Sequence, residues 1–179
     1  MNDRVGDWMQ TYLNKQFWPL DPRPEEIDIL DIAHALSMTC RFGGHCRTFY
    51  SVAEHSLHVS RVCDPEDALW GLLHDASEAY IADIIRPIKC NLKGYKEIED
   101  VLMACVSTRF GLTLAMPKSV KLADARLLAT EAAQLFGKPP VAWQDPAPIV
   151  PGLEVGKFGP DVAEYAFLAR FFELTTIPD

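Results

Sequence analysis

No apolar run in this chain of 179 residues is long enough to cross a bilayer, which excludes a helical membrane protein. There is no CxxC pair. The five cysteines (Cys40, Cys46, Cys63, Cys90 and Cys105) are odd in number and scattered, so reduced thiols are expected rather than a disulfide framework or a zinc finger. Positive charge is also scarce. Lys and Arg number 17 against 25 Asp and Glu, a formal net charge of -8. Long-range attraction to duplex nucleic acid or to anionic lipid is therefore not expected, although a local basic pocket is compatible with it. Repeats, low-complexity tracts and strand-like alternation are lacking. Asp3, Arg4, Asp7 and Lys15 give the opening residues a character unlike a secretory signal. Reduced thiols place the expected location in the cytoplasm, or in a host cytoplasm if the gene is viral.

What is present is an ordinary globular composition, 49% hydrophobic and 23% charged. One domain over residues 1–179 is expected, with an arm over 1–27 and a proline-rich loop over 138–160. Apolar spacings of three and four predict an all-α helical bundle. Residues 7–17 read as a short aromatic helix or arm. Residues 28–40 read as a helix with Ile29, Ile32, Ala33 and Leu36 on one face, broken by Gly43-Gly44. Ser51 with Glu54 three positions on makes a capping box for the next helix, which runs to about Cys63. Pro65 opens another, through Leu73 to Ala79, and Pro87 breaks residues 81–91. Helices over 95–110 and 119–136 end at Gly111 and Gly137, and one over 161–174 carries Ala163, Phe167 and Phe171 on one stripe.

The densest chemistry lies in Leu72-Leu73-His74-Asp75-Ala76-Ser77-Glu78. Read as a helix, it puts Glu78 on the same side as His74 and Asp75. Polar groups so close to apolar neighbours need partners, because burying them alone is costly. Glu54-His55-Ser56 lies on a preceding helix. Asp124 sits among Leu122, Ala123, Ala125, Leu127 and Leu128, where a carboxylate wants a cation. Asp83 follows Glu78 by five residues and leads into Pro87-Ile88-Lys89. Two imidazoles and two carboxylates make a mixed N/O site for one divalent transition metal: zinc, cobalt, manganese, nickel or iron rather than calcium. Four protein ligands on an octahedral ion leave positions for water and substrate oxygen.

The order His55, His74-Asp75, Asp124 resembles the H…HD…D signature of the HD-domain metal-dependent phosphohydrolases. The stretches Asp31-Ile32-Ala33-His34-Ala35-Leu36-Ser37, Cys40-Arg41-Phe42-Gly43-Gly44-His45, Phe49-Tyr50-Ser51-Val52-Ala53-Glu54-His55-Ser56 and His74-Asp75-Ala76-Ser77-Glu78-Ala79-Tyr80 extend it over roughly residues 7–131. They are similar to one subgroup, which holds bacterial deoxynucleoside 5'-monophosphatases and phage dATP triphosphohydrolases. The resemblance implies an HD-type bundle with His55, His74, Asp75 and Asp124 as metal ligands. It makes Glu78 the residue that positions or activates the attacking water and Asp83 a second catalytic carboxylate. Arg41 and Phe42 fall near an Arg-Trp pair that contacts phosphate and deoxyribose, Phe42 being the smaller ring. Lys89 and Lys121 match lysines that reach substrate phosphates, and magnesium can accompany those phosphates.

The expected activity is metal-dependent hydrolysis of deoxynucleoside phosphates, with dATP cleaved to deoxyadenosine and triphosphate. Alternatives are a deoxyribonucleoside 5'-monophosphatase, a non-catalytic nucleotide-binding scaffold and, ranked low, hydrolysis of guanosine tetraphosphate. Aromatic residues in the arm and the last helix imply a homo-oligomer, a dimer or a ring of dimers. His34 reads as a core or interface histidine, His45 as a loop residue and His58 as an exposed one. Trp8, Trp18, Trp70 and Trp143 read as packing anchors.

Overall fold

The computed structural model describes residues 4–144 and 146–176, and over them the protein is mainly helical, as an all-α fold requires. Its helices are α1 (Ile29–Met38), α2 (Val52–Val62), α3 (Ala68–Leu73), α4 (Glu78–Ile81), α5 (Arg86–Lys89), α6 (Tyr95–Phe110), α7 (Lys118–Leu135) and α8 (Pro160–Thr175). Before them come two short strands, β1 (Met9–Gln10) and β2 (Gln16–Phe17), paired antiparallel with Met9 opposite Phe17. This ribbon stands where a short helix or arm was expected over residues 7–17. Asn14 turns it in the left-handed region, at φ 60°, and the Leu13 amide donates to Asp31 Oδ1 on α1 at 2.8 Å. Phe17 is fully buried, its ring stacked 4.1 Å from that of Tyr80.

Helix α2 is the axis of the fold, packed against α1, α3, α7 and α8 and buried from Val52 to Ser60. Ser51 caps it, its Oγ accepting the Glu54 amide at 3.0 Å. The reciprocal half of the expected capping box is absent. The Glu54 carboxylate instead accepts the amides of Lys157 at 3.0 Å and Phe158 at 3.3 Å, which fastens the chain just before α8. One apolar cluster joins Ile32, Leu36, Leu72, Leu73, Leu102 and Phe167; another joins Tyr50, Val59, Trp70, Val120 and Leu127. Asp28 caps α1. Gly111 ends α6 at φ 69°, as the sequence predicts.

Other boundaries differ from expectation. The helix opened by Pro65 stops at Leu73, and His74 to Ser77 form tight turns before α4. Pro87 does not break a helix; it occupies the first turn of α5, where its missing N–H is harmless. Helix α7 ends in extended backbone at Phe136, and Gly137 matters as the surface on which the Arg47 guanidinium packs. Residues 136–159 run without helix or strand among the described residues. They lie along α7, held by Val150 N–H to Thr130 Oγ1 at 2.9 Å and Gln134 Nε2–H to the Leu153 carbonyl at 2.7 Å.

The crossing of α2 and α3 depends on Gly71. A Cβ there would lie 2.9 Å from Cys63 Sγ and 3.0 Å from Ser60 Cα. Gly71→Ala gains about 1 kcal/mol of helix propensity and loses about 2–3 kcal/mol to overpacking, because backbone as well as sulfur is in the way. The net loss lowers the thermal midpoint by about 2–8 °C. An unchanged midpoint in calorimetry would show that the two helices part freely.

Candidate metal centre

Three segments remote in sequence bring their donors to one point. His55, in the second turn of α2, is fully buried. His74 and Asp75 sit in the turn that follows α3, where Ala76 N–H donates to the Leu73 carbonyl and Glu78 N–H to the Asp75 carbonyl. Asp124 projects from α7 with its side chain 46% exposed. Each imidazole is oriented from behind. His74 Nδ1–H donates to the Gly71 carbonyl at 2.8 Å, and His55 Nδ1–H donates to Glu131 Oε1 at 2.5 Å. A carbonyl can only accept, and so can an ionised carboxylate, so both Nε2 atoms are left to face the cluster.

The Nε2 atoms lie 3.2 Å apart. Asp75 Oδ2 is 3.1 Å from His74 Nε2 and 3.7 Å from His55 Nε2. Asp124 Oδ1 is 3.2 Å from His55 Nε2 and 4.0 Å from His74 Nε2. Ligand atoms of His55, His74 and Asp124 all fall within 4.8 Å of one another. Bonds of about 2.1 Å to a divalent ion set adjacent donors about 3.0 Å apart and opposite donors about 4.2 Å apart. Two lone pairs and two carboxylates at these separations repel unless a cation or protons lie between them. The donor set fits a divalent metal, held by His55, His74 and Asp124 with Asp75 alongside.

The electrostatics have the same cause. Burial pushes Asp75 up, but His74, His55 and Arg41 outweigh it and hold its carboxyl well below the usual range. Burial also raises Asp124, and His55 and His74 bring it below its ordinary value. Burial and Arg41 lower the His55 imidazole; Glu131 and Asp124 overcome both and lift it to about 9. For Glu78 such compensation is too weak. Burial, Asp75 and Asp83 push its carboxyl up to about 10 against the opposing pull of Arg41 and Lys89. Asp83 is raised by burial and by Asp75, with Arg41 opposing.

Arg41, from the 3-10 turn over residues 41–44, reaches Asp75 at 3.5 Å and Glu131 at 3.3 Å. Its guanidinium lies 5.3 Å from the ring centre of Phe42, which meets Phe136 edge-on at 4.9 Å. Phe42 takes φ 57° and Gly43 φ 59°, a left-handed pair that turns this loop sharply. Cys40 and Cys46 bracket it as free thiols, Sγ to Sγ 3.6 Å. Glu78 is buried, its Oε2 without a partner. Lys89 Nζ pairs with Glu99 at 2.5 Å and stands 3.7 Å from Glu78 Oε1. Lys121 is exposed, and no hydrogen bond or ion pair to its side chain occurs among the described residues. Asp83 follows Ala82, whose φ 65° and ψ 158° belong to a region that L-residues seldom adopt.

His58 is buried, against the exposed position expected. Its ring nitrogens have no hydrogen-bond partner, and Glu54 Oε1 is 3.7 Å away. His34 is half-buried and pairs with Glu164 at 3.0 Å, and His45 lies exposed in its turn. The residue that the sequence reading missed is Glu131. It is fully buried and accepts from His55, from Tyr50 Oη–H at 2.9 Å and from Arg41. Its signal was its position seven residues after Asp124, two turns along the same face of α7.

Fold and site together define a helical protein with a buried histidine–carboxylate cluster suited to a divalent cation. No protein-family model matches the chain. The uncharacterized protein YfdR of Escherichia coli (strain K12) is 36% identical over 176 residues, covering 95% of this chain and 97% of its own. The uncharacterized protein RCAP_rcc00048 of Rhodobacter capsulatus is 37% identical over 188 aligned positions, covering 91% of this chain and 93% of its own. The chain belongs to the family of these two proteins.

Proposed function

We propose that the protein is a metal-dependent phosphohydrolase of the HD type acting on deoxynucleoside phosphates, with dATP converted to deoxyadenosine and triphosphate. One observation carries the reading: His55, His74, Asp75 and Asp124 converge at ion-binding distances with the Arg41 guanidinium beside them. The resemblance to HD phosphohydrolases supplies the reaction class. A divalent ion held there would acidify water and neutralise phosphoryl charge. Arg41 stabilises charge on the phosphate oxygens. Glu78, holding its proton near neutrality in the metal-free chain, has an unpartnered Oε2 with which to position water or to pass a proton. Lys89, 3.7 Å from Glu78, sets the field around that carboxyl.

A second reading, a deoxyribonucleoside 5'-monophosphatase, is favoured by the engagement of Lys89 with Glu99. Arg41 is then the one basic side chain in described contact with the cluster, enough for a single phosphate. Each deoxynucleoside mono- and triphosphate, incubated with Mn²⁺, Co²⁺ or Zn²⁺ and resolved by ion-exchange chromatography, separates the two. Inorganic triphosphate released from dATP is the expected result. Monophosphates cleaved while triphosphates persist establish the second reading. Metal bound without turnover on any nucleotide overturns both in favour of a binding scaffold.

A further inference from the structure

Two of the scattered cysteines meet in the fold. Cys40 and Cys46 face each other, Sγ to Sγ at 3.6 Å, across the turn that carries Arg41, and both are half-buried rather than sealed. The other three thiols have no such partner among the described residues. Cys63 Sγ–H donates to the Ser60 carbonyl at 3.8 Å, Cys105 Sγ–H donates to the Pro22 carbonyl at 3.4 Å, and Cys90 is exposed.

The backbone holds this contact from both sides. Cys40 pairs with Ser51 in a β-bridge, and the next amide, that of Arg41, donates to the Tyr50 carbonyl at 2.9 Å. Beyond Cys46, the Arg47 amide donates to the Leu135 carbonyl at the end of α7, also at 2.9 Å. The two ends of the turn are thus pinned to separate elements. Between them Phe42, Gly43 and Gly44 take φ of 57°, 59° and 78°, and His45 N–H donates to the Phe42 carbonyl at 3.2 Å. This left-handed run reverses the chain and returns Cys46 to Cys40. A disulfide sets its sulfurs about 2.05 Å apart, so closure needs an approach of about 1.5 Å between atoms already in contact.

We propose that Cys40 and Cys46 form a reversible thiol–disulfide site, oxidised by small disulfides of the glutathione class. One thiolate attacks a sulfur of oxidised glutathione, which forms a mixed disulfide and expels one glutathione thiolate. The second thiolate attacks the protein sulfur of that mixed disulfide, closes the Cys40–Cys46 bond and expels the other glutathione. Two protein thiols are oxidised, one glutathione disulfide is reduced to two thiols, and the two protons lost by the protein end on them. The ring so closed spans the turn that delivers Arg41 to Asp75 and Glu131, and it contains none of His55, His74, Asp75 or Asp124. The site stands whether or not the metal centre is hydrolytic.

The full-length protein, reduced and freed of added thiol, is equilibrated with mixtures of reduced and oxidised glutathione, quenched with acid and alkylated. Burial and the Cys40 thiol push the Cys46 thiol up, outweighing its backbone hydrogen bonds. Exchange is therefore slow at neutral pH, and a buffer near the ordinary thiol value of about 8.5 is used. Trypsin cuts after Arg41 and Arg47, so the two half-cystines fall on separate peptides and mass spectrometry reads their linkage directly. The expected result is Phe42–Arg47 joined to the peptide that ends at Arg41, while Cys90 in the same sample carries glutathione. The folded pair closes at a ratio of squared reduced to oxidised glutathione about tenfold or more above that of the same chain unfolded in urea, where a flexible segment alone sets the effective concentration. Cys46→Ser abolishes the joined peptide and leaves Cys40 carrying glutathione. Wild-type Cys40 and Cys46 capped singly with glutathione, both left free while Cys90 is modified, or closing no more readily folded than unfolded, overturns the proposal.

Discussion

Asp124→Ala is expected to remove metal binding and, with it, the proposed turnover, while the metal-free protein stays folded. Asp124 supplies one of three donors that lie within 4.8 Å of one another. Losing even an outer partner of a ligand costs about 10–100-fold in metal affinity, so losing the ligand itself costs at least about a hundredfold. The side chain is 46% exposed, so its removal opens no cavity. Its ion pairing is worth about 1 kcal/mol at most, and the metal-free midpoint moves by no more than about 4 °C. Metal at a hundred times its dissociation constant stabilises the wild type by about 2.7 kcal/mol, a rise of about 5–11 °C. Asp124→Ala loses that rise. Thermal melts of both proteins with and without Mn²⁺, beside elemental analysis, decide the matter. A variant that keeps the metal-induced rise shows that the ion sits elsewhere.

The candidate donors were legible because residue type is most of what a metal site demands. His55, the His74-Asp75 pair and Asp124 stand out from their neighbours in the chain, and the fold brings them to one point. The local backbone was harder to read. Leu72 to Ala79 has the composition of an unbroken helix, yet the chain turns at His74, whose ring is drawn to the Gly71 carbonyl. The ribbon at residues 9–17 has two residues per strand and no glycine at its turn. It is held by Asp31 and by the Phe17–Tyr80 stack, tertiary contacts that no local pattern announces. Glu54 shows the converse. Its spacing from Ser51 satisfied a capping rule, but two loop amides about a hundred residues away claimed its carboxylate. Glu131 stayed hidden because an acidic residue in a helix reads as solvated, and only the assembled fold shows it meeting His55, Tyr50 and Arg41.

Glu131→Gln is therefore expected to damage both stability and metal affinity. The carboxylate holds His55 Nδ1–H, receives Tyr50 and neutralises Arg41 in a setting with no solvent access. Breaking a buried charge pair from one side costs about 3–5 kcal/mol, here a midpoint lower by about 6–20 °C. Metal affinity falls about 10–100-fold, because His55 loses the partner that fixes its ring. The pH dependence distinguishes this from a simple packing defect. Burial alone raises Glu131, but His55 and Arg41 bring its carboxyl down to about 2, from an ordinary 4.5. A depressed folded-state value means that the stabilisation is whole above pH 4.5 and disappears as pH falls toward 2. Stability curves of wild type and variant should therefore stand apart above pH 4.5 and converge toward pH 2. At the alkaline end, burial and Arg41 lower His55, yet Glu131 and Asp124 lift it from 6.5 to about 9. A raised value gives stabilisation that is whole below pH 6.5 and lost as pH rises through 9. The metal-free wild type should weaken across that window and the variant less so, since one of the two carboxylates that raise His55 is gone. A metal ion competes for the same nitrogen, so binding near pH 7.5 expels about one proton. Calorimetry in buffers of different ionisation enthalpy measures that release. Curves that run parallel from pH 2 to 9 would show that Glu131 only fills space.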